Sequence, residues 1–124
     1  MNMKDPGSIT PEALENNLYA VHLSGEIDVN YLPQLENVVK PITDIPQLNG
    51  IVLDCKNLLF IDSKIVGFIA YLYTKLSRAK QKLIIAETNE TVNDILILVG
   101  LTTIIPFSPT LAEAINQINV PVAQ

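Results

Sequence analysis

Hydrophobic and polar positions along this chain switch between a strand period and a helix period, and the switch points mark its elements. Tyr19-Ala-Val-His-Leu23 is a short β-prone run ending at Ser24-Gly25, which predicts a strand and a turn. An earlier strand around Ile9 to Leu14 turns through Glu15-Asn16-Asn17. Pro11 confines it to a sheet edge, because proline has no N–H for a second neighbour. After Asp28, the residues Leu32, Leu35, Val38 and Val39 fall at helical spacing; Asp28 or Asn30 caps that helix and Pro41 limits it. Ile42 to Gly50, with Pro46 inside, is a connection.

Ile51-Val-Leu-Asp54 predicts a strand buried on both faces, and Leu58 to Ile61 is again apolar. The helix after Asp62-Ser63 runs to about Lys80 and carries two apolar stripes. One passes through Val66, Ile69, Tyr73 and Leu76, the other through Ile65, Phe68 and Leu72. Such a helix must be covered twice: by its own sheet, and by either another helix of the domain or a partner protein. Lys82 to Ala86 predicts a strand. Val92 to Val99 reads as a helix, with Thr91 or Asn93 as a start signal and Gly100 as a stop. Ile104 to Phe107 predicts a strand closed by Pro109, and Leu111 to Ile118 a terminal amphipathic helix before a frayed tail, Val120 to Gln124.

Strands alternating with helices predict an α/β fold, a sheet of about four to five strands with about four α-helices packed against it. Functional residues on such sheets gather at the carboxyl ends of strands. Asp28 and Asp62-Ser63 each follow a strand end, so they are expected to meet on one edge of the domain.

Composition narrows the function classes. A chain of 124 residues suits one domain with one core, and 48% apolar against 17% charged residues marks it as globular. No apolar run approaches the ~20 residues of a spanning helix. Met1 to Ser8 holds no apolar stretch of a secretory signal, and a single cysteine, Cys55, excludes an internal disulfide and a multi-cysteine metal site. A cytoplasmic protein is expected. Net charge is −5, and the basic cluster of Lys75, Arg78, Lys80 and Lys82 has no interleaved aromatics. It suits a helix C-terminus better than nucleic acid.

Candidate chemistry centres on Asp62-Ser63. Either residue can serve as the N-cap of the helix beginning there. The same place, at the positive end of a helix dipole, tolerates an added phosphate on the Ser63 hydroxyl. Enzymatic readings are weak. A serine nucleophile needs a positioned base, and the only histidine, His22, lies inside the early strand as a sheet-surface residue. Asp54, at a strand end, is similar in place to the phosphoacceptor of receiver domains, but the acidic pair expected after their first strand is absent. No metal-ligand cluster and no phosphate-cradling glycine loop is present, so no metal and no cofactor is expected. Cys55 is a small residue at a strand end, and Tyr71 and Tyr73 are packing residues.

Three stretches carry a family resemblance. Leu23-Ser-Gly-Glu-Ile-Asp28, Ile51-Val-Leu-Asp54 through Phe60-Ile-Asp-Ser63 with Gly67, and Leu83-Ile-Ile-Ala86 through Val99-Gly-Leu101 to Ile105 follow in order. Together they resemble the STAS domain of bacterial anti-sigma factor antagonists, over about residues 9 to 119, as a single domain with a mixed β-sheet and short flexible termini. The resemblance implies that Ser63 is phosphorylated by a partner that is both anti-sigma factor and serine kinase, and that this releases the partner and regulates transcription. It implies a partner surface of Asp28, Asp62, Ser63, Lys64, Ile65 and Phe68, with the two aspartates shaping local charge, and no DNA binding. A surface apolar patch would also serve a homodimer. Two positions depart from the family: its second serine is Lys64 here, and its glycine is Ile65. The rival class is a STAS binding subunit of a transporter or stress-signalling scaffold that works without phosphorylation.

Overall fold

A computed structural model describes residues 6–119. Five strands form one sheet in sequence order: β1 Ser8–Ala13, β2 Leu18–Ile27, β3 Gly50–Ile61, β4 Lys82–Ala86 and β5 Phe107–Ser108. β1 is antiparallel to β2, and every other neighbouring pair is parallel. Three α-helices lie between successive strands from β2 to β5, α1 Leu32–Thr43, α2 Ser63–Arg78 and α3 Glu90–Leu98, and a fourth, α4 Leu111–Asn119, follows β5. This is the expected mixed sheet with its helices, and β1 is the expected edge. Among the described residues, no helix is long and apolar enough to cross a membrane. The tail expected to fray, residues 120–124, lies outside the described residues.

The pleat sorts side chains to two faces. Val21 and Leu23 of β2, Ile51 and Leu53 of β3, and Leu83 and Ile85 of β4 close the main core with α1, α2 and α3. On the other face, Leu18, Val52, Ile84 and Ala86 meet Ala114 and Ile118 of α4. Helix α4 packs on β3, β4 and β5. Farther along the same face, over β1 and β2, the sheet carries polar side chains. Both stripes of α2 are mostly covered within the domain: Ile65, Val66, Ile69, Leu72 and Leu76 are buried, Phe68 and Tyr73 half-buried, and α1 lies alongside as the second cover.

Four local expectations are corrected. Helix α1 does not stop at Pro41 but includes it and runs to Thr43. In the last turn the missing N–H orphans only the carbonyl of Asn37, an exposed residue. The two apolar stretches around Asp54 and Leu58 are one strand of 12 residues. Helix α3 is capped by Asn89, whose side chain accepts from Val92 N, and not by Thr91 or Asn93. Finally, Gly100 at φ 81 leads from α3 into a 3-10 turn over Leu101–Thr103, so β5 shrinks to Phe107–Ser108. Leu101 and Ile105 are buried there as a plug, and pairing with β4 begins at the Pro106 carbonyl, which accepts from Ile85 N at 3.0 Å.

Strand β3 outruns β4, which ends opposite Asp54. Its far half pairs with β2 alone, through two register shifts: His22 faces Asp54 but Ser24 faces Asn57, and Gly25 faces Leu58 but Glu26 faces Phe60. Each shift inserts one extra residue into β3, a bulge that re-aims side chains. Asn89 stands in for the missing neighbour by donating Nδ2 to the Leu58 carbonyl at 2.6 Å.

Candidate functional site

The carboxyl end of β3 delivers Asp62 in extended conformation, φ −100 and ψ −179, directly before α2. Its carboxylate accepts three hydrogen bonds. Oδ1 accepts from Lys64 N and Ile65 N, both at 3.1 Å, which caps the helix. Oδ2 accepts from Val29 N at 2.7 Å, which ties the chain after β2 to the start of α2. The helix start therefore has its cap in Asp62. Ser63 is the first helical residue, exposed, and its hydroxyl takes no part in capping.

Asp28 lies on the same edge, as expected. It caps the 3-10 turn Val29–Tyr31 by accepting from Asn30 N at 2.9 Å. The turn is held from a third side by Tyr31, whose hydroxyl accepts from Gly7 N at 2.8 Å. The loop after β2, the entry to β1 and the start of α2 thus form one hydrogen-bonded corner, with Ser63 and Lys64 on its outside.

Of the six residues expected on a partner surface, Ser63 and Lys64 are exposed and Asp28 and Asp62 half-buried. Ile65 is corrected: at 0% exposure it belongs to the core, because the i+3 position from the cap turns inward beneath α1 and the sheet. Phe68 is half-buried against the core, with its ring 6.0 Å from that of Tyr71, and it lines a groove of about 430 Å³ between α1 and α2.

The sequence reading missed the apolar contribution to this corner. Val29, Leu59 and Phe60 are 46%, 44% and 40% exposed beside the site. The run Leu58 to Ile61 has no alternation to betray this. The bulge at Leu59 keeps Leu58 and Ile61 inside and turns the two residues between them out.

Elsewhere the chemistry is closed. His22 offers its ring nitrogens to Asp54 and Glu12 and not to a serine hydroxyl. Cys55 is buried, and burial together with the neighbouring Asp54 charge pushes its thiol up to about 12, so thiolate is not formed at neutral pH. Among the described residues, no group of three or more His, Cys, Asp or Glu side chains is arranged to hold a metal ion.

Comparison with known proteins bears on this geometry. The chain is 28% identical over 100 residues to an anti-sigma F factor antagonist of Paenibacillus polymyxa, a match covering 81% of this chain and 86% of that protein. An anti-sigma factor antagonist from Mycobacterium paratuberculosis shares the fold with a TM-score of 0.84 at 22% identity, over 97% of this chain and 100% of that one. The Bacillus cell fate determinant SpoIIAA, solved in its phosphorylated form, gives a TM-score of 0.72 at 20% identity, over 90% of this chain and 100% of its own. Residues 10–114 match the family model of the STAS domain, and the chain belongs to that family.

Proposed function

We propose that this protein is a cytoplasmic anti-sigma factor antagonist that binds an anti-sigma factor with serine kinase activity and is released when Ser63 is phosphorylated. The observation that carries this reading is the arrangement at the start of α2. Asp62 alone makes the cap, so the exposed Ser63 hydroxyl has no structural duty and is available for modification. The relative from Paenibacillus polymyxa supports the antagonist role, and SpoIIAA supports phosphorylation within this fold.

The physical consequence of phosphorylation comes from the same bonds. A phosphate on Ser63 enters the positive end of the α2 dipole. The Lys64 and Ile65 amides that would receive it are already held by Asp62. The added charge of about −1.5 to −2 therefore stands beside an ionised carboxylate. A partner pressed over Val29, Leu59, Phe60 and Ser63 would have to bury that dianion. The affinity lost is about 2 kcal/mol or more, roughly thirtyfold. Exposed Lys64 supplies a positive rim to the same surface, suited to an acidic group on the partner.

The test is a pull-down from lysate of the source organism with wild type, Ser63→Ala and Ser63→Asp, bound proteins being identified by mass spectrometry. An ATP-binding serine kinase held by wild type and Ser63→Ala but lost by Ser63→Asp is expected. A transporter or scaffold protein held equally by all three would overturn the switch and leave a STAS binding subunit that works without phosphorylation.

A further inference from the structure

On the sheet face that α4 leaves uncovered, three titratable side chains meet across three strands. His22 of β2 lies between Asp54 of β3 and Glu12 of β1. Its Nδ1 is 2.6 Å from Asp54 Oδ2, and its Nε2 is 2.7 Å from Glu12 Oε1. Ionised carboxylates only accept hydrogen bonds, and a neutral imidazole has a single N–H to give. With neutral His22, one of the two contacts would set a lone pair against a lone pair. Both contacts are attractive only when each nitrogen carries a proton, as imidazolium.

The surroundings agree with that geometry. Glu12 and Asp54 are the charged groups that face the ring, one from each flanking strand. The neighbours on the same face are neutral: Ser24, bonded to Ser8 of β1 at 2.5 Å, and Ala86, opposite Asp54 on β4. Burial of the ring disfavours the charged form, but its hydrogen bonds to Glu12 and Asp54 and their charge outweigh it and hold His22 above its ordinary 6.5. The remaining oxygen of Asp54 accepts from Lys56 N at 3.1 Å, inside the first bulge of β3.

The part of the fold this cluster secures is the edge strand. β1 has one buried side chain, Ile9, in its first half; residues 10–13 are all exposed. Beyond Ile9, that strand is held by its ladder with β2, by its packing against α1 and by Glu12, the one side chain of that stretch bonded to another strand. We propose that Glu12, His22 and Asp54 are a protonation-dependent latch that fastens the second half of β1 to the sheet while the imidazolium persists. When the proton leaves, the remaining N–H stays with Asp54, whose side chain is 14% exposed and needs a donor more than Glu12, at 54%. The Glu12 arm then opens and residues 10–13 fray. A histidine held above its ordinary value contributes stability that is complete below about pH 6.5 and is lost as pH rises through the folded-state value.

The test is NMR on the full chain, for wild type, Glu12→Gln and His22→Gln: the His22 ring titration, and amide-exchange protection factors in β1 and β3 across it. Glu12 is exposed, so Glu12→Gln leaves the fold intact. In wild type, β1 protection is expected to fall about tenfold, the loss of one charge-assisted hydrogen bond, while β3 protection holds. In both variants β1 protection is expected to lose its pH dependence, and Glu12→Gln is expected to lower the His22 titration point. Wild-type β1 protection that is constant through the His22 titration would overturn the latch, as would an unchanged pH dependence in Glu12→Gln.

Discussion

Asp54 and Asp62 sit on or just after the same strand, eight positions apart, and make nearly the same bonds. Each accepts at Oδ1 from the backbone N–H two residues on, that of Lys56 for one and of Lys64 for the other. Each sends Oδ2 across to the β2 side, to His22 for one and to Val29 N for the other. The residues next in the chain differ. After Asp54 comes Cys55, buried and with its thiol pushed up to about 12; after Asp62 comes Ser63, exposed. The cross-strand donors differ as well. A backbone amide keeps its proton at every ordinary pH, whereas an imidazolium does not. One geometry therefore serves two ends: a permanent clasp presenting an exposed hydroxyl, and a titratable clasp beside an inert thiol. The hydrogen-bond pattern of an aspartate does not by itself mark a functional site; what separates these two is the exposure of the next residue.

The comparison can be broken most forcefully at Ile65. Placed in the core beneath the clasp, Ile65→Ala is expected to cost about 2–5 kcal/mol by urea denaturation. A loss typical of a surface residue, with partner binding impaired, would return Ile65 to the interface. Asp62→Ala strips the acceptor from three amides, so a cost of about 2–3 kcal/mol is expected, with Asp62→Asn less damaging because it keeps the cap. Asp54→Asn is expected to cost about 1 kcal/mol near pH 6. The gap between it and wild type should narrow as pH rises past the His22 titration, because Asp54 is one of the two carboxylates that raise His22 above its ordinary value. The Asp62→Asn gap should not move over the same range. Cys55 should react with a thiol reagent only at the rate of unfolding, whereas thiol modification of the native state would contradict its burial. The smallest effect is at Ser63→Ala, where stability should stay within about 0.5 kcal/mol of wild type.

Much of the fold was legible because its signals are local. Pro11 marked an edge strand, Ile51 to Asp54 read as a buried one, and Gly100 marked the end of α3. The site was legible in outline too, since Asp28 and Asp62 each follow a strand end and both ends lie on one side of a parallel sheet. The features that escaped depend on non-local pairing. No property of Leu59 or Phe60 reveals that β3 bulges against Gly25 and Glu26, which turns two apolar side chains to solvent. Periodicity put Ile65 on a second stripe but left open whether a partner or α1 covers it. Likewise, His22 was placed on the sheet surface, while its two carboxylate partners depend on the register of three strands.

The central claim is that Ser63 switches partner binding by its charge. Its most direct test is calorimetric titration of the captured partner with protein carrying phosphoserine incorporated at position 63, against unmodified protein. Binding weakened about thirtyfold or more, with an unchanged melting curve, is the predicted result. Equal affinity for the two forms would contradict it.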